Sequence, residues 1–126
     1  MSDKKIIFMG TPLIAANYLS SLINNKYVLF NPKIISSSKE TVIMEEGCLS
    51  IPEQFADIER PKEIIVEYTS EKKKLVKKKI DGVEARVLQH EIDHLSGKLF
   101  VDYLSSLKRN IIIKKVKKMA KSGEIR

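Results

Sequence analysis

Two histidines stand four residues apart in His90-Glu91-Ile92-Asp93-His94, and the chain has no others. On a helix of 3.6 residues per turn such a pair lies about 40° apart around the axis, so both imidazoles can reach one metal ion. Glu91 follows His90 directly, where its carboxylate can act on water at such an ion. The plainer alternative is a pair of partly buried histidines held by carboxylates. Upstream, Glu46-Gly47-Cys48-Leu49-Ser50 contains the single cysteine. A lone thiol is a buried filler, a nucleophile or a metal ligand. As a ligand, the Cys48 thiolate joins His90 and His94 in a set of three that leaves one position open, as a hydrolytic centre requires. Zinc proteases also use a His-Glu-x-x-His helix, but Cys48 here replaces their usual third histidine or carboxylate.

The elements that must position these residues are legible as periodicities. Ala85, Leu88, Ile92 and Leu95 recur at helical spacing over 84–95, and Val87, His90, Glu91 and His94 form a second stripe on roughly the opposite side. A helix with buried-type residues on two sides belongs at the centre of a domain. Ser96-Gly97 ends it at a glycine suited to a left-handed cap. Before it, residues 63–69 alternate, with Ile64, Val66 and Tyr68 on one face. A polar turn at 70–73 leads into a very basic strand over 74–80, expected at a sheet edge. Residues 41–44 read as a strand running into the cysteine motif, and Ile51-Pro52 is expected to turn the chain away. Two β-rich pieces, 27–30 and 33–35, are split by Asn31-Pro32, and 36–39 reads as a polar loop. Residues 6–9, 10–12 and 13–23 read as strand, turn and helix. Residues 107–121 form a basic amphipathic helix carrying Ile111, Ile112, Val116 and Met119.

The chain of 126 residues, 43% hydrophobic and 31% charged, fits one globular domain with a modest core. One cysteine excludes an internal disulfide and makes the reducing cytoplasm the expected compartment. Lysine and arginine number 23 against 16 acids, and the resulting +7 is concentrated in residues 72–79 and 108–126. Such clusters favour a polyanionic neighbour, nucleic acid or an anionic surface, although solvated faces are the commoner explanation. The apolar run 6–16 is broken by Gly10-Thr11-Pro12 and is too short to span a bilayer, so a soluble chain without membrane contact is expected.

Glu46-Gly47-Cys48-Leu49-Ser50 followed by Gln89-His90-Glu91-Ile92-Asp93-His94-Leu95-Ser96-Gly97 resembles the signature pair of the peptide deformylases. The resemblance runs from about Lys26 to Lys121. It implies an α+β fold of short antiparallel strands around a central metal-binding helix, closed by a C-terminal basic helix. It further implies that Cys48, His90 and His94 hold one divalent ion, Fe²⁺ in the family, with Zn²⁺ or Ni²⁺ as substitutes. Glu91 would carry the proton and the backbone N–H of Leu49 would bind the oxyanion. The implied reaction removes the formyl group from the N-terminal formyl-methionine of newly made polypeptides. Contact of the basic C-terminal helix with ribosomal RNA is implied as well.

The family's upstream Gly-x-Gly-x-Ala-Ala-x-Gln segment, whose glutamine is a second oxyanion donor, has no counterpart here; Ala15-Ala16 is a faint echo. Gln54 and Asn17 are substitutes only in being amides. Residues 1–23, with Lys5-Ile6-Ile7-Phe8-Met9-Gly10-Thr11-Pro12, resemble instead the opening strand and helix of methionyl-tRNA formyltransferase. Residues 1–25 are therefore expected to form an atypical strand-turn-helix segment, and 26–126 a deformylase-like metal-binding domain. The competing reading is a catalytically impaired metal-binding relative.

Overall fold

The computed structural model describes residues 5–6, 29–48 and 50–123. The turn at 10–12, the helix expected over 13–23, Asn17 and Leu49 lie outside the described residues. The order is β1 (Lys5–Ile6), β2 (Leu29–Ser37), β3 (Thr41–Cys48), β4 (Ile51–Pro61), β5 (Glu63–Thr69), β6 (Leu75–Asp81) and α1 (Gly82–Leu95). A 3₁₀ turn (Phe100–Tyr103) and α2 (Ser106–Lys121) follow. Among the described residues all strand pairing is antiparallel, in a four-stranded sheet ordered β1-β2-β5-β6 and a ribbon of β3 with β4. The fold is α+β. Among the described residues no helix is long and apolar enough to cross a membrane.

Alternation in β5 turns Ile64 and Val66 to one face of the sheet, where Leu29, Ile80, Ala85 and Leu88 complete an apolar cluster. Ile34, Tyr68 and Ile92 pack at its margin. One stripe of α1 thus lies on the sheet, each fully buried aliphatic side chain contributing about 1.5–3 kcal/mol. A second cluster joins Cys48, Ile51 and Ile58 of the ribbon to Phe100, Val101 and Ile112. The opposite side of α1, with Arg86, Gln89 and His90 buried, faces the seam between the two clusters.

Three expectations need correction. The chain does not turn away at Ile51-Pro52 but returns beside β3 as an eleven-residue strand. Its inward residues after the bend are Ala56, Ile58 and Arg60, and the charged one hides the apolar alternation. Asn31-Pro32 does not split two strands; the ladder absorbs it as a register shift between Phe30 and Lys33, with Asn31 at φ 51. The loop expected at 36–39 begins only at Ser38, since Ser36 and Ser37 pair with β5. The α2 stripe is narrower than its sequence suggests, with Ile112 buried and Ile111 exposed. β6 lies at the sheet edge as expected. Gly97, at φ 75, gives α1 its left-handed exit, with the Lys98 N–H closing onto the Asp93 carbonyl at 2.9 Å.

Candidate metal centre

β3 delivers Cys48 and α1 delivers both histidines. One donor atom from each of Cys48, His90 and His94 lies within 4.8 Å of the others, a grouping that could hold a metal ion. Cys48 Sγ stands 3.6 Å from His94 Nε2, and the two imidazole centroids are 4.6 Å apart. Among the described residues His90 Nε2 is buried without a hydrogen-bond partner. A buried, unsatisfied nitrogen costs about 1–3 kcal/mol, so its orientation toward the thiol calls for a further group, and a cation fits. Sulfur with two imidazoles suits borderline-soft divalent ions.

The opposite nitrogen of His90 is held. Glu46 Oε1 sits 2.9 Å from His90 Nδ1, which fixes the ring so that Nε2 faces the Cys48 side. Glu46 is wholly buried and takes a bidentate fork from Arg60, Nε to Oε2 at 2.6 Å and Nη2 to Oε1 at 2.9 Å. Arg86 Nη1 donates to Oε2 at 2.6 Å and to the Ile58 carbonyl at 2.7 Å, while its Nη2 donates to the Val42 carbonyl. Arg60 Nη1 continues to Asp93 Oδ2 at 2.8 Å, and the Tyr103 hydroxyl donates to the same oxygen at 2.6 Å.

These neighbours set the protonation states. Burial alone would raise Glu46, but hydrogen bonds from His90, Arg60 and Arg86 prevail and hold it at about 2. Burial disfavours the His90 cation, yet the neighbouring Cys48 sulfur and the Glu46 carboxylate push it up to about 9. Cys48 is opposed by burial but lowered by His90 and by Ser50, which favours thiolate. His94 is lowered, by burial and by His90, which keeps it a neutral donor. Glu91 is raised by burial against the pull of His90, and its Oε2 lies 3.8 Å from His94 Nδ1.

Gly47 is required by a close approach. A Cβ there would stand 2.4 Å from the Phe55 ring, which covers the backbone beside Cys48. Sequence reasoning gave no role to Glu46, Arg60, Arg86, Asp93 or Tyr103. A signal existed for two of them: the chain has only four arginines among its 23 cations, and two are these buried ones. Arg86 also precedes His90 by four residues, on the same helix face.

An α+β domain built around a His-Glu-x-x-His helix, with a cysteine strand facing it, defines the class. The model of the polypeptide deformylase family matches residues 4–110, and the chain belongs to that family. Curated relatives include peptide deformylases from Bartonella henselae and Bradyrhizobium diazoefficiens. Each is 50% identical over 97 residues, covering 77% of this chain and 55% and 56% of theirs. A crystal structure of peptide deformylase from Ehrlichia chaffeensis superposes with a TM-score of 0.72 at 46% identity, covering 79% of this chain and 55% of that one. The same enzyme in complex with actinonin gives 0.68 at 49% identity, covering 73% and 54%. The chain thus spans about half the length of the relatives it matches.

Proposed function

We propose that this chain is a metallohydrolase that removes the formyl group from the N-terminal formyl-methionine of newly made polypeptides. The observation that carries the reading is the convergence of Cys48, His90 and His94 around His90 Nε2, which among the described residues has no hydrogen-bond partner, on the family's two motifs. These three residues would hold one divalent ion, Fe²⁺ with Zn²⁺ or Ni²⁺ accepted. When bound, the ion supplies Lewis acidity that makes water nucleophilic near neutral pH.

Glu91 takes the proton from the attacking water and returns it to the departing nitrogen; its burial raises it toward the working range. The C–N bond breaks, and formate and a free amino terminus leave. The backbone N–H of Leu49 binds the developing oxyanion. No Gly-x-Gly-x-Ala-Ala-x-Gln segment stands in this chain to add a second donor, and loss of one such donor lowers turnover by about 10²–10³. That feature favours the second reading, a catalytically impaired metal-binding relative. In this proposal residues 1–25 are an atypical opening stretch of the sequence, of which residues 1–23 are similar to the start of methionyl-tRNA formyltransferase; Lys5–Ile6 within it pairs with β2.

The partner surface is α2, with seven cations and no acid in 106–121. It docks on ribosomal RNA near the emerging peptide, in the cytoplasm. The test of activity is formate release from formyl-Met-Ala-Ser by anaerobically prepared, Fe²⁺-loaded protein, with metal measured on the same sample. Release that vanishes in Glu91→Ala with metal retained supports hydrolysis at this centre. Stoichiometric metal without release leaves the impaired relative as the reading.

A further inference from the structure

We infer that Arg60 is a positioning residue: its guanidinium sets the spacing between the strand that carries Cys48 and the end of the helix that carries His94. The inference rests on the metal-site reading above. Its ground is the division of the interior. Cys48 packs with Ile51, Ile58 and Phe100, whereas the apolar stripe of α1 packs with Ile64, Val66 and Leu29. The two apolar clusters are distinct, and apolar contact alone is undirected, so it does not fix where one slides relative to the other. The seam between them is polar.

Two guanidiniums cross that seam from opposite sides and meet on Glu46. Arg86 reaches from the first half of α1 to Glu46 and to the Ile58 and Val42 carbonyls, so it anchors the helix start to the ribbon. Arg60 reaches from the ribbon to Asp93, one residue before His94. Its plane is rigid, and three of its nitrogens are engaged: Nε and Nη2 on Glu46, Nη1 on Asp93. The Glu46-to-Asp93 separation is therefore dictated by the width of one guanidinium. Glu46 is two residues from Cys48 and bonds His90, so that width is passed to all three donor side chains. Tyr103 completes the clamp: its hydroxyl donates to Asp93, and its ring lies 4.7 Å from the Arg60 guanidinium carbon. A lysine keeps the charge at position 60 but is a point donor with no planar fork.

The experiment loads Co²⁺ into the full chain and into Arg60→Lys, reading affinity by chelator competition and geometry by the visible d–d bands. Circular dichroism and a cooperative melt report the fold. The expected result is a folded Arg60→Lys with about 10–100-fold weaker Co²⁺ binding and shifted, weakened d–d bands, its thiolate charge-transfer band retained. Unchanged affinity and bands in folded Arg60→Lys overturn the inference. Should that variant not fold, Tyr103→Phe decides: a several-fold loss of Co²⁺ affinity supports the clamp, and parental affinity refutes it. A parent chain that takes up no Co²⁺ fails earlier, at the metal-site reading itself.

Discussion

Replacing Glu46 by glutamine preserves the shape at the centre of the charge network, removes its negative charge and turns one of its two accepting oxygens into an N–H donor. In the parent, Glu46 is held at about 2 against an ordinary 4.5, which corresponds to about 3 kcal/mol in favour of the folded chain at neutral pH. The variant also leaves Arg60 and Arg86 facing a neutral amide in a site sealed from water, a loss of about 3–5 kcal/mol. The two routes agree. For a chain of 126 residues each kcal/mol moves the melting temperature by roughly 4 °C, so the metal-free variant should melt about 10–20 °C lower at pH 7. The pH dependence tests the cause. A carboxylate with a depressed folded value stabilises fully above its unfolded value, and that stabilisation fades as pH falls through the folded one. The gap between parent and variant should therefore shrink from about pH 4.5 downward and close near pH 2. Urea titrations at pH 7, 5, 4 and 3 on both proteins measure it. A gap under 1 kcal/mol at pH 7, or one that stays constant to pH 3, would refute the reasoning.

Gly47→Ala forces the Phe55 ring aside and should cost about 1–3 kcal/mol in denaturant titrations; adding Phe55→Ala should restore most of it, since the clashing atoms are ring carbons. Zinc uptake by the metal-free chain should release protons between pH 6 and 9, because His90, pushed up to about 9, must lose one to donate from Nε2; calorimetry in buffers of different ionisation enthalpy counts them. Neutralising the exposed Lys114, Lys115, Lys117 and Lys118 to glutamine should leave the fold intact, and should flatten the log–log salt dependence of ribosomal RNA binding by up to about 0.9 per lost phosphate contact, read by filter binding.

The helix of the centre was legible because burial on two sides leaves a doubled periodicity, and because His90 and His94 must share a face. β5 was legible for the same kind of reason, alternation of Ile64, Val66 and Tyr68 over a buried sheet face. β4 was not. Its inward position 60 holds an arginine whose burial is stabilised by ion pairs rather than by exclusion from water, and no hydropathy pattern records that. The bulge at Asn31-Pro32 is similar: proline in a sequence reads as a break, whereas the ladder resumes after a shift of register. The roles of Glu46 and Asp93 depend on Arg60, 14 and 33 residues away from them, a distance over which local patterns carry no information.

The lysines of β6 and its preceding turn matter when two molecules meet. Among the described residues β6 is the edge strand of its sheet, the kind of position onto which a second chain can add a strand. Lys72, Lys73 and Lys74 at the turn and Lys77, Lys78 and Lys79 along the strand put an excess of positive charge on any such encounter, although Lys77 and Lys79 lean toward Glu67 and Glu63 of β5, and exposed Leu75 sits within that row. The guard is electrostatic, so its range is set by the solvent, about 8 Å at physiological salt and 3 Å at 1 M. Concentrated salt is thus the condition in which this sheet loses its protection against growing from one molecule into the next.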